Sequence, residues 1–159
     1  MKIIEKPSDF STVIEYEKFQ GVIFSDKALC FLCLQDKERF TPILNDIENA
    51  ERILTQKIKN ANKDLINQGN GCPIINRNLK NYRRQYFGYI DNNGDKIIYT
   101  TFVWDRYTLW DKLRGYYKDE SENWKTEKEM VLDGCSYNWE IKINLNKSEL
   151  FEFDVNGVA

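Results

Sequence analysis

From residue 43 onward the apolar positions recur with helical spacing. Ile43, Leu44, Ile47, Ala50, Ile53, Leu54, Ile58, Ala61, Leu65 and Ile66 fall on one stripe, the period of a helix with one buried side. Thr41 offers an N-cap, Pro42 suits the first helical position, and Gln68-Gly69-Asn70-Gly71 supplies a stop. The expected helix has about 25 positions and spans about 37 Å. Its outer side carries Glu48, Glu51, Lys57, Lys59 and Lys63, which reads as a solvated charged face.

Beyond the helix the period changes to two. Tyr82 to Ile90 and Lys96 to Trp104 are β-branched and aromatic runs joined by Asp91-Asn92-Asn93-Gly94-Asp95, a strong hairpin signal. Tyr137, Trp139, Ile141, Ile143 and Leu145 alternate with polar residues, and Phe151, Phe153 and Val155 do the same after the turn Asn146 to Glu149. Gly21 to Phe24 and Ala28 to Leu34 add strand signals ahead of the helix. The expectation is one α+β domain over residues 1–159, a long helix packed on a curved antiparallel sheet of four or more strands. That element order is similar to a cystatin-like or NTF2-like roll.

Composition narrows the chemistry. The chain has 159 residues, 42% apolar and 30% charged, with a net charge of −2, which suits a folded domain and argues against a generic polyanion binder. It contains no histidine, which removes Ser-His-Asp and Cys-His catalysis and histidine-ligated metal. No run approaches the roughly 18 apolar residues of a membrane span. Met1 to Phe10 lacks the apolar core of a secretory signal, so the expected location is cytoplasmic.

The four cysteines stand at 30, 33, 72 and 135. Cys30 and Cys33 fall inside the presumed strand Ala28 to Leu34, where positions three apart point to opposite faces. The expectation is therefore small buried hydrophobes. Redox chemistry and an all-cysteine zinc site are the alternatives, the second weakened because Cys72 and Cys135 lack a close spacing. Neither metal nor cofactor is expected.

The segments Arg83-Arg84-Gln85-Tyr86-Phe87-Gly88-Tyr89-Ile90, Leu132-Asp133-Gly134-Cys135-Ser136 and Val155-Asn156-Gly157-Val158-Ala159 resemble a group of small uncharacterised bacterial proteins. That group has an R-Q-Y-x-G-[YF] strand, a D-G-G-S turn and a terminal N-G-x-A. The likeness runs from the helix to the C-terminus, and this chain departs from it at Cys135, where the group has a second glycine. The resemblance bears on fold and implies no activity. Likeness to true cystatin inhibitors is topological, since Gln85-Tyr86-Phe87-Gly88 does not reproduce their Q-x-V-x-G loop.

Without histidine, catalysis would fall to carboxylates, lysine, tyrosine or cysteine. Asp105 and Asp111 flank an aromatic stretch and are the best acid/base pair, though surface charge is the simpler reading of both. Tyr82-Arg83-Arg84-Gln85-Tyr86-Phe87 interleaves basic and aromatic residues as a base-stacking sheet would, but lacks the glycine of an RNP1 motif. Charge is also segregated. Residues 77–118 carry a balance of +5 and residues 119–159 one of −6, which opposite strands can neutralise across a sheet.

The most informative stretch connects the second and third expected strands. It holds Arg106, Tyr107, Trp110, Arg114, Tyr116, Tyr117 and Trp124, the residue types that dominate binding hot spots, in a connection unusually long for a compact domain. The competing reading makes Leu109 and Trp110 part of a plug closing the roll. The expected function is non-enzymatic protein binding through those seven residues, and an immunity-type protein neutralising a cognate bacterial toxin is the specific form. The alternative is a small-ligand pocket lined by Tyr86, Tyr99, Phe102 and Trp139, or an enzyme using carboxylates there.

Overall fold

The computed structural model describes residues 1–30, 33–34, 36–106, 113 and 121–158. Eight strands form one mixed, open sheet: β1 (Lys2–Ser8), β2 (Ser11–Tyr16), β3 (Phe19–Phe24), β4 (Glu38–Phe40), β5 (Tyr82–Ile90), β6 (Lys96–Trp104), β7 (Asn138–Asn144) and β8 (Glu149–Val155). Their order is β1-β2-β3-β5-β6-β7-β8, with β4 also on β5. Every pairing is antiparallel except β3 with β5, where Gly21 to Phe24 run beside Arg84 to Phe87. That parallel pair corrects the all-antiparallel expectation. Two parallel strands need a long crossover, and the chain between them carries β4 and α1 (Leu44–Ala61).

Alternation along β5 and β6 sends side chains to two covered faces. On one, Tyr82, Tyr86, Phe102, Trp139, Ile141 and Ile143 meet Ile47, Ala50, Ile53, Leu54 and Ile58 of α1. On the other, Val13, Val22, Phe24, Phe87, Ile97 and Tyr99 pack with Ala28, Cys30, Leu34 and Trp124. A strand covered on both faces has no solvated side, which is why residues 82 to 89 are all buried. Ile53 lies at the centre of the helix contact and is wholly buried. Ile53→Ala should cost about 2–5 kcal/mol in urea denaturation because the packed neighbours cannot close the void.

The helix is shorter than its apolar stripe. Ile43 is the N-cap, and its N–H is satisfied by the Asp46 carboxylate at 3.1 Å. Thr41 instead bonds Asp26, accepting its N–H at 3.0 Å and donating to its carboxylate at 2.8 Å. At the far end Asn62 donates to Gln68 and Asn76, and Leu65 and Asn67 take left-handed backbone conformations. Those polar closures turn the chain away five residues early and leave Ile66 62% exposed.

Ala28 to Leu34 is not a strand in its described residues. Turns close through Ala28 N–H to Ser25 O and Cys33 N–H to Cys30 O, while the Arg39 guanidinium reaches the carbonyls of Ser25, Ala28 and Gly88. The turn brings Cys30 and Cys33 to a Cα separation of 5.6 Å, and they form a disulfide. Cys72 and Cys135 form a second. The cysteines are therefore cross-links, which corrects the reading of them as reduced hydrophobes. Cys135 has φ of 46°, the backbone region that favours glycine. No helix among the described residues is long and apolar enough to cross a membrane.

Candidate functional site

A cleft of about 490 Å³ opens between the β2–β3 turn, the outer side of α1 and the residues leading into β5. The turn places Tyr16, Lys18 and Phe19 on one wall, α1 contributes Arg52, and Lys80 stands opposite. A smaller hollow of about 180 Å³ shares Lys18, Phe19 and Lys80 and continues toward Asp105 and Arg106.

Beneath the cleft lies a buried charged cluster. Glu51 is 3% exposed and Arg84 2%. Arg84 Nε lies 3.0 Å from Glu51 Oε1, close enough for an ion pair but out of line for a hydrogen bond. Tyr86 OH donates to the same oxygen at 2.8 Å. Arg84 also donates to the carbonyls of Tyr82 and Leu79, each at 3.1 Å, and its guanidinium stacks 3.3 Å from the Phe19 ring centroid. Burial holds the Glu51 carboxyl above its ordinary range against the opposing pull of Arg84 and the Tyr86 hydroxyl. Burial likewise raises the Tyr16 phenol, helped by Glu17, Glu51 and Glu48. These contacts engage the cluster internally, and it forms the floor of the cleft.

Glu51 was expected on the solvated face, and its burial is a correction. Its spacing from Ile47, Leu54 and Ile58 puts it on the apolar stripe. Arg84 similarly shares a strand face with Tyr82 and Tyr86. A carboxylate on one apolar face and a guanidinium on the other are the sequence signal of this pair.

The basic-aromatic run of β5 is not an exposed stacking platform, because Arg83 is equally enclosed. Its guanidinium pairs with Glu129, lies 3.9 Å from Asp105 and sits over the Trp124 ring. Gln85 draws the same segment onto the sheet, donating to the carbonyls of Trp124 and Glu127 and accepting the Glu129 N–H. Trp124, expected at a partner surface, is consequently 6% exposed and part of the core. Arg106 is exposed and lies at the lower hollow, donating to Asn81 Oδ1 at 3.3 Å. Tyr107, Leu109, Trp110, Asp111, Arg114, Tyr116 and Tyr117 lie outside the described residues.

The four alternative pocket residues do not share a pocket. Tyr86, Phe102 and Trp139 face α1, whereas Tyr99 lies on the opposite face beside Phe87. Phe102 and Trp139 stack at 3.6 Å and fill the space between them. Among the described residues no group of His, Cys, Asp or Glu could hold a metal ion. No family model, curated protein or solved structure matches the chain, so the site is read from its own chemistry.

Proposed function

We propose that this chain is a non-enzymatic protein-binding domain whose contact surface centres on the cleft rim and continues into the aromatic stretch that begins after Arg106. One observation carries the reading. The buried charges beneath the cleft are matched to one another, while among the described residues Lys18, Arg52, Lys80 and Arg106 have no carboxylate partner. Exposed cations beside Tyr16 and Phe19 are the ingredients of a recognition surface. Tyr107, Trp110, Arg114, Tyr116 and Tyr117 follow Arg106 in the sequence and belong to this proposal through their residue types.

An immunity-type role against a cognate toxin is the narrower form, resting on class analogy with mildly acidic, motif-poor domains and on the net charge of −2. The cystatin- or NTF2-like assignment rests on element order alone. Two disulfides favour an oxidising compartment over the cytoplasmic location expected from the N-terminal residues.

The test is affinity capture from the native host with wild type, Trp110→Ala and Tyr117→Ala, each checked by thermal unfolding. A partner retained by wild type and weakened by about 2 kcal/mol or more in a variant of unchanged melting temperature is expected. Capture indifferent to both substitutions removes the aromatic stretch from the surface.

A further inference from the structure

The charge in and around the cleft is opposite in sign to that of the whole chain. Glu51 is matched by Arg84 below the surface, and Arg83 is engaged by Glu129. That leaves Lys18, Arg52, Lys80 and Arg106 against Glu17 and Asp105 at the rim. Four cations against two carboxylates, a local balance of +2, stand on a protein of net charge −2. We propose that the cleft receives an acidic segment of a protein partner, with carboxylates meeting Lys18, Lys80, Arg52 and Arg106 and an apolar side chain resting on Phe19 and Tyr16. The inference rests on the binding reading above and names the chemistry of what binds.

Three features select that ligand. Lys18 and Lys80 line both the larger and the smaller hollow, so two carboxylates spaced along one chain can be met in succession. A volume of about 490 Å³ admits a few side chains and not a folded surface. Tyr16 and Phe19 give the wall an aromatic patch, which a bare inorganic anion would not use and a mixed acidic and apolar segment would. A nucleic acid fits less well. It needs a basic track along many phosphates, whereas these four cations stand around one cleft and its adjoining hollow and residues 119–159 carry a balance of −6.

The turn that forms the lip is held in a costly conformation. Glu17 has φ of 50°, a left-handed backbone conformation that is unfavourable for a non-glycine residue. Glycine would relieve it, yet Glu17 and Lys18 occupy the tip of the two-residue connection between Tyr16 and Phe19 and line the cleft. Glu17 also sets position. It disfavours an acidic group beside itself, as Asp105 does beside Arg106, so the carboxylates of a bound segment should seat between them on Lys18 and Lys80.

The experiment is a ¹⁵N–¹H correlation titration of the full chain with three probes: a short peptide alternating Glu with Leu and ending in Phe, the same peptide with Gln for Glu, and a short oligothymidylate. Expected are saturable shifts of the Lys18, Phe19, Thr55 and Lys80 amides with the acidic peptide, an affinity that falls as salt is raised, and loss of at least tenfold in affinity in Lys18→Glu/Lys80→Glu. Both lysines are exposed, so the melting temperature of that variant should be unchanged, and unshifted far amides confirm its fold. Equal shifts with the Gln peptide, tighter binding of the oligothymidylate, no shift, or a response unaltered in the double variant each overturn the proposal. A host partner captured equally by wild type and by the double variant would keep the binding reading and remove only the acidic segment. Failure to capture any substitution-sensitive partner, with peptide shifts intact, would do the reverse.

Discussion

Arg84→Met should destabilise the protein by about 3–5 kcal/mol at neutral pH, because it leaves the Glu51 carboxylate buried without its cation. Methionine retains much of the apolar stem that lies against Phe19 and Phe102, so the loss reports mainly on charge. Burial already raises the Glu51 carboxyl above its ordinary 4.5, and Arg84 is the largest influence opposing that rise. Removing Arg84 lifts the native value further. A carboxyl with a raised native pKa contributes stability that is complete below its unfolded value and is lost as pH climbs through the native one. The deficit of Arg84→Met should therefore be greatest at neutral pH and shrink as pH is lowered toward 4.5.

Glu51→Ala should cost a similar amount at neutral pH with no comparable recovery in acid, since the stranded guanidinium stays charged throughout that range. Glu51→Leu/Arg84→Met should cost clearly less than the sum of the single changes, because apolar residues of similar size remove both uncompensated charges at once. Urea denaturation of the set at two pH values checks all three. Small additive losses without pH dependence would show that the pair is solvated.

Much of this architecture could be read from period alone. The β5–β6 hairpin and its Asp91 turn, the β7–β8 pair and the apolar face of α1 are local patterns, and local patterns survive in one sequence. The parallel β3–β5 pairing is not local, and no residue type marks it. Tyr99 and Phe102 illustrate a reading that period should have prevented, since three positions apart on a strand lie on opposite faces. The Ala28 to Leu34 run was apolar enough for a strand, but its described residues turn, and the Arg39 guanidinium donates to the carbonyls of Ser25 and Ala28. The cleft was hidden for another reason. Its walls come from Lys18, Arg52 and Lys80, three charges that look like ordinary solvated residues until the fold brings them together. Only the floor was legible, through Glu51 on an apolar stripe and Arg84 on an apolar strand face.

Cys72→Ala/Cys135→Ala should lower stability by about 4 kcal/mol, whereas Cys30→Ala/Cys33→Ala should lower it by only about 1–2 kcal/mol. The difference follows from the chain each bridge closes, 63 residues against 3, because a longer loop gives up more freedom in the unfolded ensemble. The long bridge also fastens a site with other ties. Ser136 Oγ donates to Pro73 O, Tyr137 OH to Gly71 O and Asn67 Nδ2 to Asn156 O, and Cys135 N–H reaches Gly157 O. These bonds hold the turn after α1 against the start of β7 and the end of β8. With about 2–4 °C per kcal/mol for a domain of this length, the first variant should melt about 8–16 °C below wild type. The second should melt within a few degrees of it. Reductant added to wild type opens both bridges and should give a shift at least as large as that of the first variant, and thiol titration of the unreduced, unfolded chain should find no free cysteine. Four titratable thiols in that measurement, or equal melting of the two variants, would dismiss both the pairing and the role assigned to the longer bridge.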